Sequence, residues 1–166
     1  MLTATRSHRE ALAMELVGPE SALVRELIAA YWHELESVTN HLASATNRDG
    51  VHAERIAGTI HQVMTAALKH AQQVAVRIGQ LRGIPPSPDE FAAQELRLRA
   101  PADPLDNGSV LTSLVEAETT ALERYRRIAT LATEAYDWVT ERLANQILHE
   151  KAVHRDSLGS VLATAQ

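Results

Sequence analysis

Prolines are concentrated in one stretch of this 166-residue chain, and their distribution limits the folds that it can adopt. Five of the six lie between Gly83 and Gly108, and the sixth, Pro19, follows Gly18 near the start. Proline interrupts helices because it lacks a backbone N–H and its ring clashes with the preceding turn. The pattern therefore predicts long uninterrupted helices on both sides of one connector, residues 83–108.

Four long helical segments remain once the connector is set aside. They are predicted at about residues 21–45, 51–82, 109–133 and 135–163, with short helices at 6–16 and within the connector at 89–97. Residues 47–50, with the sequence Asn-Arg-Asp-Gly, indicate a tight turn, and the last two segments meet near 134–137. Two helical hairpins and one long crossover predict an all-α, single-domain, up-down four-helix bundle with its core at 21–163.

Composition supports a helical protein and excludes several classes of function. Apolar residues make up 45% of the chain and aromatic residues only 4%, which favours helices over sheets. The absence of cysteine excludes disulfides, thiolate zinc sites and iron–sulfur clusters. A net charge of −5 disfavours nucleic acid and anionic membranes as partners. Because residues 1–20 do not resemble a signal peptide and no apolar run approaches roughly 18 residues, we expect a cytoplasmic protein.

Two glutamate–histidine pairs recur at the same spacing. His70 follows Glu34 by 36 residues, and His154 follows Glu118 by 36 residues, with the second pair displaced from the first by 84. The midpoint of each pair lies close to a predicted hairpin turn, so each acid should lie level with its imidazole. The repeated spacing predicts one metal-type site that is built twice and on which all four side chains converge.

Each segment carries an apolar stripe at helical spacing, which predicts its inward face. On the first and second segments the stripes are Leu23, Leu27, Ala30, Glu34, Val38, His41 and Ala45, and Ile60, Val63, Ala67, His70, Val74, Ile78 and Leu81. On the third segment the stripe is Leu111, Leu114, Glu118, Ala121, Tyr125 and Ala129. On the fourth segment it is Val139, Leu143, Ile147, Lys151 with Glu150, His154 and Leu158. The paired acids and imidazoles are therefore expected to be buried. A buried carboxylate needs a partner, because an isolated charge in an apolar core is too costly to keep.

Local sequence identifies a family resemblance from about residue 21 to 163. The segments that carry it are Lys69-His70-Ala71 continuing to Leu81-Arg82-Gly83-Ile84-Pro85, and Ile147-Leu148 leading to His154. They resemble the ferritin-like superfamily, nearest to bacterioferritin and rubrerythrin-type domains. Such domains hold two irons with one Glu from each of two helices and Glu-x-x-His from the other two. The resemblance implies terminal carboxylates at Glu34 and Glu118, and imidazole ligands at His70 and His154.

The chain departs from that pattern at both bridging glutamates, which fall on Ala67 and Lys151. No acidic residue occurs between positions 55 and 88, so no shift of register supplies one on the second segment. On the fourth segment, Glu150 lies four residues before His154 and could turn inward as a substitute ligand. The methionine that binds haem in bacterioferritins corresponds to Leu68, so no haem is expected.

Charge determines how serious this loss is. In the family, four carboxylates balance two divalent irons. Here Glu34, Glu118 and Lys151 leave one net negative charge, or two if Glu150 turns inward, which suits at most one divalent ion such as iron, manganese or zinc. The ammonium of Lys151 could instead replace the metal in an internal Glu–Lys–Glu cluster, because it offers three donors.

Three functions remain open. The first is a ferritin-like scaffold or assembly protein that forms a homo-oligomer, a dimer or larger, without ferroxidase activity. The second is an iron-binding, iron-storage or single-metal ferritin-like protein using the two Glu–His pairs. The third is an unrelated sensor or interaction bundle, which would place Glu34 and Glu118 far apart. His41 and Tyr125, each seven residues after a site glutamate, are interpreted as hydrogen-bonding partners of the site or as core packing.

Overall fold

The computed structural model describes residues 19–42, 53–87, 89–90, 101–103 and 106–165, and these form an all-helical bundle without strands. Its long helices are α1 (Pro19–Leu42), α2 (Ala53–Gln80), α3 (Asn107–Glu134) and α4 (Trp138–Ala165). The predicted all-α four-helix architecture is confirmed, and the observed helix limits lie within about three residues of the predicted ones. The helix predicted at 6–16 and the turn at 47–50 lie outside the described residues, as does most of the helix predicted at 89–97, of which 89–90 are helical.

Contacts between helices establish their directions. Glu26 of α1 pairs with Arg124 and Arg127 of α3, whereas His41, near the end of α1, contacts Ser113, near the start of α3. Helix α1 is therefore antiparallel to α3. Helix α2 is antiparallel to α4 by the same reasoning, because Arg77 contacts Asp137 while His70 contacts Glu150.

The short turn at 135–137 also makes α3 and α4 antiparallel. Since α2 and α3 are both antiparallel to α4, they run parallel to each other. The end of α2 and the start of α3 therefore lie at opposite ends of the bundle, separated along its axis by about 42 Å for a helix of 28 residues.

The helix ends use local capping. Asp106 is the N-cap of α3, and its carboxylate accepts a hydrogen bond from the Ser109 amide at 2.6 Å. Helix α2 ends at Gln80, and Arg82, two residues later, adopts the left-handed conformation at φ 60° before Gly83. A Cβ atom on Gly83 would lie 2.8 Å from Ile78 Cγ2 and 2.9 Å from Val24 Cγ1, so only glycine lets the chain leave α2 against α1.

The core consists of two apolar clusters separated by a polar layer. One includes Leu23, Leu27, Ala30, Val74, Ile78, Ala121, Tyr125, Ile128, Ala132, Ala144 and Ile147. The other includes Ile56, Ile60, Val63, Val110, Leu111, Leu114, Leu158 and Val161. Buried polar residues, including Glu34, His70, Glu118 and Lys151, lie at intermediate positions along the helices. The apolar stripes predicted that Glu34, His70, Glu118 and His154 lie within the core; the first three are buried, whereas His154 is 22% exposed.

Val139 is an exception to the predicted stripes, because it is 60% exposed. The inward face of α4 begins instead at Thr140 and continues through Ala144 and Ile147. Asp137 accepts a hydrogen bond from the Thr140 amide as α4 starts, and packing against the neighbouring helices buries Thr140 and leaves Val139 outward. Within the described ranges, no helix is both long enough and apolar enough to cross a membrane.

Candidate functional site

The centre of the polar layer is a lysine held between two glutamates. The Nζ atom of Lys151 donates to Glu34 Oε2 at 2.8 Å and to Glu118 Oε1 at 2.9 Å. All three side chains are at most 1% exposed. Helices α1, α3 and α4 each supply one member, so this buried cluster connects three of the four helices.

The Lys151 ammonium and the Glu34 carboxylate stabilise each other in their ionised forms. Burial alone raises the pKa of Glu34, but the Lys151 ammonium and the neighbouring His70 outweigh it and lower that pKa to about 2. Burial alone lowers the pKa of Lys151, but the carboxylates of Glu34 and Glu118 outweigh it and raise that pKa. The geometry is therefore that of an ammonium shared by two carboxylates, with one negative charge in excess.

Tyr125 completes the hydrogen bonding of Glu34. Its hydroxyl donates to Glu34 Oε1 at 3.0 Å, so both oxygens of this carboxylate have partners. Burial, together with the nearby Glu34 charge, raises the pKa of the Tyr125 hydroxyl well above its usual value. His41 does not take the corresponding role, because its ring contacts the Ser37 carbonyl and Ser113 Oγ.

The two predicted imidazoles flank the cluster symmetrically. His70 Nδ1 lies 3.7 Å from Glu34 Oε1, and His154 Nδ1 lies 3.7 Å from Glu118 Oε2. These distances are too long for hydrogen bonds. Both Nδ1 atoms, and Glu118 Oε2, are buried without a hydrogen-bond partner. The structure thus brings together the four residues with matched spacing, and places an imidazole against each acid.

Glu150 lies on the far side of the His70 ring from Glu34. The Nε2 atom of His70 donates to Glu150 Oε2 at 2.9 Å, and Gln146 and Lys69 donate to the same carboxylate. The Gln146 hydrogen bond is the main influence that lowers the pKa of Glu150 to about 2; burial opposes it, and His70 and Lys69 reinforce it. Glu150 therefore orients His70 and does not enter the buried cluster.

Helix α2 contributes no acid to the polar layer. Ala67, three residues before His70, is fully buried and offers no atom that could bind a metal. Among the described residues, no group of three or more His, Cys, Asp or Glu side chains is arranged to hold a metal ion. At the positions of the two Glu-x-x-His glutamates, the structure places the Ala67 side chain and the Lys151 ammonium.

His33 is a buried neighbour of the site that the paired spacing did not single out. It is 5% exposed, and its Nε2–H donates to the Ala117 carbonyl at 3.0 Å, next to Glu118. Burial lowers its pKa to about 4, although the adjacent Glu34 opposes this shift. Its position three residues after Ala30, on the edge of the apolar stripe of α1, is the sequence signal that could have identified it.

Comparison with known proteins gives a family and a set of similar structures. The family profile described as Ferritin, a ferritin-like domain, matches residues 25–166. Similar solved structures include the bacterioferritin-related protein of Bacteroides fragilis, described as a dodecameric thioferritin. It is 28% identical, with a TM-score of 0.78, over 87% of this chain and 86% of that one.

Two further structures show the same fold at lower identity. A Dps protein from Bacillus brevis is 16% identical with a TM-score of 0.80, over 89% of this chain and 99% of that one. The bacterioferritin of Desulfovibrio desulfuricans, whose structure contains a diiron site, is 17% identical with a TM-score of 0.71, over 87% of this chain and 80% of that one. None of the curated proteins matches the chain at a significant level.

Proposed function

The chain belongs to the ferritin-like domain family, and from this premise we propose that it is a ferritin-like scaffold or assembly protein without ferroxidase activity. In this proposal, the Lys151 ammonium replaces the metals of the family's centre and holds the helices together by charge. The bundle is retained while the redox chemistry is lost.

The position of the Lys151 ammonium is the observation that carries the proposal. Its Nζ atom lies within 3 Å of an oxygen of both Glu34 and Glu118, the two acids that correspond to terminal iron ligands. A divalent ion in the same space would meet strong repulsion from a buried ammonium. Lysine instead donates to both acids and needs no metal.

The remaining side chains that could bind a metal do not suit a centre with two irons. A centre of the family type needs two carboxylates that bridge the metals, and Ala67 and Lys151 provide neither. Glu150 is engaged by His70, Gln146 and Lys69. Among the residues that the structure describes, Glu34 and Glu118 are the acids that remain at the centre, and they carry too little negative charge for two divalent ions beside an ammonium.

Assembly is the function that such a bundle retains. The Bacteroides fragilis relative, at 28% identity, is described as dodecameric. We extend this to the present chain as a homo-oligomer, which uses the outer surfaces of the helices and does not depend on the centre.

Aerobic oxidation of ferrous iron tests the loss of ferroxidase activity. The wild type should oxidise iron no faster than a protein-free control, with no saturation at two irons per subunit. The double variant Ala67→Glu/Lys151→Glu rebuilds both Glu-x-x-His motifs and should gain binding of two irons. Ala67→Glu/Lys69→Glu is the matched control, because it makes the same change in composition but places the second acid at a half-exposed position. Rapid, saturable oxidation by the wild type would refute the proposal.

A second candidate, a single-metal protein, is favoured by one observation. Glu118 Oε2 and His154 Nδ1 lie 3.7 Å apart, and both are buried without a hydrogen-bond partner. His154 is 22% exposed, which gives a route from solvent. If this pair holds an ion, calorimetric titration with Zn²⁺ or Mn²⁺ should show one site per subunit that Glu118→Gln and His154→Gln each abolish. No heat of binding to the wild type would exclude this candidate.

A further inference from the structure

The two halves of the polar layer differ in how their glutamates are hydrogen-bonded. Tyr125, seven residues after Glu118, donates to Glu34 Oε1, so both oxygens of Glu34 have partners. The equivalent position in the other half, seven residues after Glu34, is His41, whose ring nitrogens contact a backbone carbonyl of α1 and a serine of α3. The symmetry of the layer therefore does not supply Glu118 with a second donor.

Two polar atoms on this side of the layer have no hydrogen-bond partner among the described residues. They are Glu118 Oε2 and His154 Nδ1, which are both buried and lie 3.7 Å apart. A direct hydrogen bond between an imidazolium and a carboxylate would bring them to about 2.7–2.9 Å. The pair is therefore not closed by a direct bond, and one small donor that contacts both atoms would satisfy both.

The charge of the layer indicates what kind of donor fits. Glu34 and Glu118 carry two negative charges and Lys151 carries one positive charge, so one negative charge is in excess. It lies on the Glu118 side, because Glu34 also has the Tyr125 hydroxyl. A buried charge is stable only when it is compensated. A monovalent cation balances this excess, whereas water leaves it uncompensated and a divalent ion is repelled by the Lys151 ammonium.

The imidazole favours a cation that carries hydrogen. His154 Nδ1 offers a lone pair in the tautomer that has its proton on Nε2. Oxygen ligands hold K⁺ in proteins, and imidazole nitrogen suits transition metals. An ammonium ion instead donates separate N–H bonds to an imidazole nitrogen and a carboxylate oxygen. Lys151 shows the same chemistry, because its ammonium donates to two carboxylates at 2.8 and 2.9 Å.

Exposure distinguishes this pair from its counterpart in the other half. The His154 side chain is 22% exposed, which gives a small ion a route from solvent. His70, in the equivalent position beside Glu34, has no exposed side-chain surface. A ligand from solvent therefore reaches Glu118 more readily than Glu34.

We propose that Glu118 Oε2 and His154 Nδ1 form a binding site for one ammonium ion, which balances the excess charge of the polar layer. Glu118 is then paired with two ammonium groups, one attached to α4 through Lys151 and one taken from solvent. This inference rests on the proposed function, because it requires a centre that is held by the Lys151 ammonium and not by a metal.

Nuclear magnetic resonance of the full chain with isotope-labelled histidine tests the site at pH 7. Ammonium chloride is titrated against potassium chloride at equal ionic strength. Ammonium should cause a saturable change in the His154 Nδ1 resonance, and potassium should cause none. The thermal midpoint should also be higher in ammonium chloride, because a ligand that binds the native state stabilises it.

Two variants show whether the effect belongs to His154. His154→Leu removes the ring nitrogen and should abolish the difference in thermal midpoint between the two salts. His149→Leu is the matched control, because it makes the same change at an exposed position of α4; it should keep the wild-type difference.

The outcomes separate this inference from the proposed function. Equal responses to ammonium and potassium would overturn it, and so would a His154 ring that carries protons on both nitrogens without ammonium, because an imidazolium balances the charge alone. Saturable binding of Zn²⁺ that displaces ammonium would overturn it in favour of the single-metal candidate. Ferroxidase activity is measured separately by iron oxidation, so failure of the ammonium site leaves the predicted absence of that activity standing.

Discussion

Lys151 shows at the scale of one residue how a side chain can hold a polar layer together. A buried carboxylate is tolerated only with a charged or hydrogen-bonding partner. The Lys151 ammonium serves both Glu34 and Glu118, and Tyr125 supplies a further hydrogen bond to Glu34. Removing the lysine would leave two carboxylates facing each other across a space without a cation.

Replacing Lys151 with methionine should therefore be strongly destabilising. Methionine keeps a similar length without the charge, and breaking a buried ion pair costs about 3–5 kcal/mol in the free energy of unfolding. Urea denaturation at pH 7 measures the change. Lys69→Met is the control, because Lys69 is 54% exposed where it pairs with Glu150, and such a pair contributes about 0–1 kcal/mol.

The variant Lys151→Met/Glu34→Gln/Glu118→Gln checks that charge is the cause. It should recover part of the lost stability, because no unpaired charge remains in the layer. Loss of less than about 1 kcal/mol in Lys151→Met alone would show that the cluster contributes little to the fold.

His33 should make stability depend on pH in the acid range. Burial lowers its folded-state pKa to about 4 from an ordinary value of 6.5. A histidine with a lowered pKa binds a proton more readily when the chain is unfolded, so its contribution is complete above pH 6.5 and is lost as the pH falls towards 4. The loss should reach on the order of 2–3 kcal/mol.

The variant His33→Gln isolates this contribution. Glutamine can still donate to the Ala117 carbonyl but does not titrate. Its free energy of unfolding, followed by chemical denaturation from pH 7 to 4, should fall less steeply than that of the wild type. His149→Gln, at an exposed position of α4, should follow the wild type. Parallel curves for wild type and His33→Gln would contradict the assignment.

At the scale of elements, one ionic contact connects the two hairpins at the end of the bundle that carries the turn between α3 and α4. Arg77 of α2 donates to Asp137 and, through Nε, to Thr140 Oγ1 at 2.7 Å. Asp137 is also the N-cap of α4. One carboxylate thus begins a helix and attaches it to a neighbour from the other hairpin.

Asp137→Asn should separate these two roles. Burial raises the pKa of Asp137, but hydrogen bonds from Arg77 and Thr140 outweigh it, so the pKa lies below its ordinary value of 3.8. Asparagine can still cap α4, so the variant should lose only the charged contact, about 1.5–3 kcal/mol at pH 7. Asp137→Ala should lose in addition the cap, about 1 kcal/mol.

The cost of Asp137→Asn should depend on pH. A carboxylate with a lowered pKa stabilises the fold above its unfolded pKa, and this stability disappears as the pH falls below 3.8 through the folded pKa. Guanidinium denaturation of both proteins at pH 7 and near pH 2.5 measures the difference. An equal difference at both pH values would show that the charge of Asp137 is not responsible.

At the scale of the whole molecule, the fold should be independent of metal. A metal that binds only the native state raises stability by mass action, about 2.7 kcal/mol at a hundred times its dissociation constant. Thermal melts of the wild type with chelator, or with added Zn²⁺ or Fe²⁺, should coincide. The Ala67→Glu/Lys151→Glu variant, refolded with metal, should melt higher with metal than with chelator. A wild-type midpoint that rises with metal would instead favour the single-metal candidate.

The helical periodicity of the apolar residues and the positions of the prolines were sufficient to predict the four-helix bundle. Apolar stripes at helical spacing and a single proline-rich connector specify four helices and one crossover, because both signals depend only on local backbone and side-chain properties. The paired spacing of Glu34, His70, Glu118 and His154 also indicated their convergence, since antiparallel hairpins bring residues equidistant from a turn to the same level. The left-handed conformation of Tyr136, at φ 55° between α3 and α4, and the outward position of Val139 had no comparable signal.

Only the tertiary structure decided what each polar side chain contacts. Lys151 and Glu150 are neighbours in sequence, yet one is buried between Glu34 and Glu118 and the other lies near the surface against His70. Rotation by one residue moves a side chain about 100° around a helix, and packing against α1, α2 and α3 determines which of the two points inward. Local sequence specifies the helices and their apolar faces, whereas the pairing of buried charges depends on side chains that different helices bring together.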